Sequence, residues 1–96
     1  MAAYTREWRI NFKGLRAQDS MLKSIAAALE LPPHFGRNLD ALYDCLTDLP
    51  LEKGHAYAIH LDNLERGPAG DPVHAVFADA REWWADAGVT LALSRD

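Results

Sequence analysis

The amino-acid sequence predicts a small α/β domain built on a parallel sheet, and three observations carry that prediction. Three short segments alternate apolar and polar residues with the period of two that marks a strand with one buried face. Longer segments between them repeat apolar residues every three to four positions, as a helix with one buried face does. Strands separated by helical crossovers favour parallel pairing. A chain of 96 residues suits one domain, 1–96, with a single core of modest stability.

Each element has its own signals. Trp8, Ile10 and Phe12 alternate with Arg9 and Asn11, which places a strand near 8–12; Gly14 then breaks the pattern. Asp19 is a candidate cap for a helix near 20–30 with the stripe Leu22, Ile25, Ala26 and Leu29. Pro32-Pro33 is expected to end it, because proline lacks the N–H donor and clashes with the preceding turn. Asn38 is a good cap for a second helix, 38–47, with Leu39, Leu42 and Leu46 inward. Tyr57, Ile59 and Leu61 mark a strand at 55–61. The turn-rich stretch 62–70 has room for a short helical turn at Asn63–Glu65. Asp71 as cap, Pro72 at the first position and Gly88 past the end punctuate a helix at 72–86. Its stripe is read as Val73, Val76, Phe77, Ala80, Trp83 and Trp84. Val89, Leu91 and Leu93 close the chain as a strand at 89–93. Each strand shows one apolar face, so helices should cover one side of the sheet only.

Composition narrows the class. Hydrophobic residues make up 49% and charged residues 25% of the chain, a globular balance that argues against disorder. The one cysteine, Cys45, cannot form an internal disulfide. The polar start, Met1 to Glu7, has no apolar signal core, and no apolar run approaches the ~20 residues of a membrane helix. A cytoplasmic, reducing location is therefore expected. The net charge of −4 is unevenly placed: +3 over residues 1–37 and −7 over 38–96. An acidic second part disfavours direct nucleic-acid binding and suits a basic partner; it equally suits a solvated surface.

Signs of catalysis are sparse. His34, His55, His60 and His74 sit in different elements without the spacing of a zinc site. Cys45 lies beside the apolar face of its helix, so a packed thiol is expected rather than a nucleophile. No phosphate-cradling glycine loop is present, and no cofactor is expected. The informative element is the second helix. Leu39, Leu42 and Leu46 share one arc, while Asp40, Tyr43, Asp44 and Thr47 share the opposite one. Asp40 and Asp44, four apart, stack two carboxylates on one face, an arrangement that costs an isolated helix roughly 0.2–0.5 kcal/mol. The helix N-terminus offsets part of this for Asp40, less for Asp44. An aromatic ring between two carboxylates, next to His34-Phe35-Gly36, reads as a recognition surface for a cationic pocket, or as a solvated face with a chance tyrosine.

The run Leu31-Pro32-Pro33-His34-Phe35-Gly36-Arg37-Asn38-Leu39-Asp40-Ala41-Leu42-Tyr43-Asp44-Cys45-Leu46-Thr47 resembles the barstar family. The family pattern there is Leu-Pro, an aromatic pair, Gly-x-Asn-Leu-Asp-Ala-Leu, an aromatic and Asp. Val76-Phe77-Ala78-Asp79-Ala80 and Val89 to Leu93 extend the likeness. The resemblance implies a three-stranded parallel sheet with about four helices, and a protein that plugs the active site of a barnase-like ribonuclease. By position, it implies Asp44 as the central anchor for the cationic groups that hold substrate phosphate, and Asp40 as its flank. His34 and Phe35 would form an aromatic wall, with Gly36 and Asn38 as close backbone contacts. Tyr43 and Thr47 would lie at the edge, and Asp79 would be an acidic contact on the last helix. Departures are also present. Arg37 stands where the family has an acid, His34 and Tyr43 replace larger or more apolar aromatics, and residues 48–54 run longer without an aromatic contact.

Three readings follow. The first is an intracellular ribonuclease inhibitor, monomeric when free, with an immunity or antitoxin role and neither catalysis nor metal. The second is a module of the same fold acting on a different basic toxin or regulatory partner. The third is a small hydrolase using Asp40 and Asp44 as an acid/base pair, which lacks a dry cleft to work in. The first reading expects Asp40, Tyr43 and Asp44 to be exposed without full internal charge partners; separately, Cys45 is expected to be mostly buried and not bound to metal.

Overall fold

A computed structural model describes residues 4–32 and 35–95. The order is β1 (Arg6–Asn11), α1 (Gln18–Leu29), α2 (Leu39–Leu46), β2 (Ala56–Asp62), α3 (Gly70–Asp86) and β3 (Thr90–Arg95). The three strands form one sheet in the order β1-β2-β3, and both pairings are parallel. Trp8 lies opposite Ile59, and Ile59 opposite Leu93; Ile10 lies opposite Leu61. Because spatial order follows chain order without reversal, right-handed crossovers bring every helix to the same face. Burial agrees: Trp8, Ile10, Tyr57, Ile59, Leu61 and Leu91 are buried, whereas Glu7, Arg9, Asn11, Thr90 and Ser94 are exposed. His60 bridges the open face, with Nε2 2.9 Å from Glu7 Oε1 and Nδ1 2.7 Å from Ser94 Oγ. This is a cross-strand polar ladder of the kind that stabilises a half-solvated sheet.

The core lies between the sheet and the helices. Phe12, Met21, Leu22, Ile25, Leu42, Leu46, Val73 and Phe77 are all essentially fully buried. Among the described residues three helices form, not about four. The stretch after β2 is turn rather than helix because Asn63 takes φ 61°, a left-handed conformation through which a helix cannot propagate, and Gly67 and Pro68 follow. No helix among the described residues is long and apolar enough to cross a membrane.

Several helix ends differ from expectation. Ala17, not Asp19, precedes α1, and Asp19 lies in its first turn. There it faces the positive end of the helix dipole without acting as a cap. The same helix stops before the prolines, at Glu30, whose φ of 54° reverses the chain; Leu31 then donates its N–H to Ala26 O at 3.0 Å. Helix α3 begins at Gly70, so Asp71 lies inside the first turn rather than capping it. Glycine is required at 70, since a Cβ there would stand 1.9 Å from the carbonyl oxygen of Glu65. Arg95 ties the end of β3 to this corner through Asp71 Oδ1 at 2.6 Å, and that bond holds the Asp71 carboxyl below its usual pKa. Gly88 does follow the end of α3, with φ 87°.

Candidate functional site

Helix α2 has eight residues, too few to persist alone in water. Three features hold it. The Oδ1 of Asn38 accepts the Ala41 N–H at 2.8 Å, so the predicted cap is in place. Leu42 and Leu46 are fully buried, with Leu39 partly buried against the same core. At the far end the buried indole Nε1–H of Trp84 donates to Leu46 O at 2.9 Å. That carbonyl has no partner within α2, so α3 supplies one. The Thr47 hydroxyl donates to Tyr43 O at 3.0 Å and lies 3.3 Å from Asp44 O, closing the same end.

The outward face carries charge. Asp40 and Asp44 are exposed on α2, and Asp79 is exposed on α3. Among the described residues none of the three carboxylates has a hydrogen-bond or ion-pair partner. Together with Leu39, Tyr43 and Val76 they line a shallow, open groove of about 400 Å³ between the two helices. Tyr43 is partly buried, contrary to the expectation of an exposed ring. It sits where α2 meets the flank of α3, so its ring lines the groove.

On the other side of α2, Phe35 is partly buried against the core, and its N–H donates to Pro32 O at 2.9 Å. Gly36 is exposed; a Cβ there would make only ordinary contacts, 3.4 Å from Asn38 Nδ2, so nothing within the fold demands glycine. With Asp44 and Thr47, both residues line a second open groove. His34 lies outside the described residues. The structure thus brings Asp40, Tyr43, Asp44 and Asp79 to one groove and Phe35, Gly36, Asp44 and Thr47 to the next. Asp44 stands on the ridge between them.

Arg37 does not oppose this face. Its φ of 46° turns the chain, and its Nε donates to Asp19 Oδ1 at 3.1 Å, while Lys23 Nζ lies 3.4 Å from the other oxygen of Asp19. The cation is spent on α1. Cys45 is partly rather than mostly buried, since its position next to the outward Asp44 leaves one side open. Burial first, then the carboxylates of Asp44 and Asp48, push its thiol pKa up, so it is a proton-holding thiol and not a ready nucleophile. No group of three His, Cys, Asp or Glu residues that could hold a metal occurs among the described residues.

The sequence reading missed Trp83. It placed both Trp83 and Trp84 in the inner stripe, but α3 buries the face of Val73, Phe77, Ala80 and Trp84, and Trp83 lies about 100° around the helix from Trp84, at the edge of that face. Trp84 is buried, and Trp83 is the large hydrophobic left outside, at 44% exposure.

Fold and surface together define a small parallel α/β protein that displays an acidic helical face. The chain belongs to the barstar family: the profile of the family described as "Barstar (barnase inhibitor)" matches residues 5–95. The chain is also similar to a Bacillus subtilis (strain 168) protein named "Putative ribonuclease inhibitor YrdF", with 42% identity over 62 residues. That match covers 56% of this chain and 62% of the other, less than two thirds of its length.

Proposed function

We propose that this chain inhibits a basic ribonuclease by laying the acidic face of α2 into its phosphate-binding site. The observation that carries the reading is the set of three carboxylates, Asp40, Asp44 and Asp79, which have no partner among the described residues and converge on the α2/α3 groove. A ribonuclease site must be cationic to hold phosphate, and a rigid helix bearing carboxylates can take the phosphate's place. Opposite charge also speeds the encounter. Asp44, on the ridge between two grooves, is the central anchor; Asp40 and Asp79 flank it. Phe35 and Gly36 form the adjoining wall, where glycine allows a partner's backbone to come close. Asn38 holds the helix start, and Tyr43 and Thr47 line the edges. His34 is a further candidate contact by its place in the family pattern. The work is occupancy alone, with no bond broken and no cofactor. The carboxylate surface repels nucleic acid.

The test is inhibition of a panel of basic microbial ribonucleases that includes barnase. Asp44→Ala should weaken inhibition more than any other single change. The expected loss is about 2–5 kcal/mol, a range to which the barnase–barstar pair itself contributes. Asp40→Ala and Asp79→Ala should cost less, because a rim charge stays solvated. Removing Asp44 also relieves a like-charge i,i+4 pair, so the thermal midpoint should hold or rise while inhibition falls. Undiminished inhibition by Asp44→Ala refutes the plug mechanism.

A further inference from the structure

Trp83 is a large hydrophobic residue left exposed on α3. Helix α3 turns its core side inward through Val73, Phe77, Ala80 and Trp84. At 100° per residue, Trp83 lies about 40° around the helix from Asp79 and about 20° from Val76. Those two residues line the groove shared with α2, so Trp83 continues the same flank one turn beyond Asp79. Its ring meets that of Trp84 edge-on, with centroids 4.9 Å apart at 90°. Trp84 is itself fixed by its bond to Leu46 O. The outer indole is thus braced before any partner arrives, which lowers the entropic cost of using it.

Its electrostatic setting is specific. Asp79 is four residues before it and Asp86 three after, both exposed and on neighbouring turns. An indole face attracts cations, and flanking carboxylates add to the attraction. Elsewhere on the molecule Arg6 is seated on an aromatic ring in this way, over Trp8 at 4.7 Å. The face of Trp83 carries no cation among the described residues. We propose that Trp83 is a specificity-determining residue of the interface, receiving an arginine guanidinium of the bound ribonuclease flat on its indole while Asp79 accepts the guanidinium N–H groups. Arginine fits better than lysine because its planar group stacks and donates in the same plane. The inference rests on the ribonuclease-inhibitor reading above and adds a contact on α3 to it.

The experiment measures inhibition constants of the full chain and of Trp83→Ala, Trp83→Leu, Trp83→Phe and Asp44→Ala against the same ribonuclease panel. Thermal midpoints are measured alongside: Trp83→Phe keeps a ring against Trp84 and should stay near the parent, while Trp83→Ala and Trp83→Leu should lose a few degrees and remain folded at the assay temperature. Trp83→Ala and Trp83→Leu should each weaken inhibition about tenfold, equivalent to about 1.4 kcal/mol, and Trp83→Phe should retain most of it. Inhibition by Trp83→Leu equal to the parent, with Asp44→Ala impaired, overturns the guanidinium contact and leaves the plug standing. Equal inhibition by Trp83→Ala does the same and removes Trp83 from the interface. If the parent inhibits no member of the panel, the inhibitor reading falls and this inference falls with it.

Discussion

Cys45 sits among carboxylates, and its thiol responds to them. Burial, Asp44 and Asp48 raise its pKa above the ordinary value of 9.0. The folded chain therefore holds this proton more tightly than the unfolded chain. The associated stability is complete below the unfolded pKa and is lost as pH rises through the folded one. Cys45→Ser lacks that titration. The thermal midpoint of the parent should thus fall more steeply than that of Cys45→Ser as pH rises above about 9. A second readout is alkylation at pH 8, which should be slower than for a free cysteine peptide, since the thiolate is the reactive form. Parallel midpoint curves would remove the assigned cause. Single residues were also where the sequence misled most. Asp19 and Asp71 have good capping chemistry, yet each lies inside its helix, because the backbone before it already turns helical. Trp83 and Trp84 are indistinguishable by residue type, and only the rotation of α3 separates them.

At the scale of elements, sequence and structure agree closely for α2. Its cap Asn38, its inward leucines and its outward aspartates lie where periodicity placed them, because an amphipathic helix writes its orientation into every turn. Strand limits were harder to read. The sequence placed β1 at 8–12, whereas it runs over Arg6–Asn11. Arg6 and Glu7 pair with β2 through backbone groups, which leave no mark in hydropathy. Likewise β3 extends through Ser94 and Arg95. What periodicity could not show is the link between α2 and α3. Trp84→Phe keeps an aromatic ring but deletes the donor to Leu46 O. Leaving that acceptor unmet should cost about 1–3 kcal/mol, or several degrees in thermal midpoint. It should also weaken ribonuclease inhibition by loosening the end of α2. A midpoint unchanged from the parent's would show that the bond does not hold the helix.

Across the whole molecule the charge asymmetry of the sequence becomes a division of surface. Four of the six cations of the first part are engaged locally: Arg6 with Glu30, Arg9 with Asp62, and Arg37 and Lys23 with Asp19. The departure at Arg37 that the family pattern raised is thereby answered by a residue eighteen positions earlier. Asp19→Ala frees two cations near the start of α2 and should slow association with a basic ribonuclease several-fold at low salt. The effect should shrink at ionic strengths where the Debye length drops to about 3 Å. An unchanged association rate at low salt would show that Asp19 does not shield the face.

The indole that crosses from α3 to the last carbonyl of α2 bears on any attempt at miniaturisation. A synthetic peptide of residues 35–48 would contain every assigned contact on α2 but neither the leucine-binding core nor Trp84. Two turns of helix cannot sustain themselves in water. Such a peptide would have to order its backbone at the moment of docking, and a drug derived from it would need a covalent brace where the protein uses a neighbouring helix.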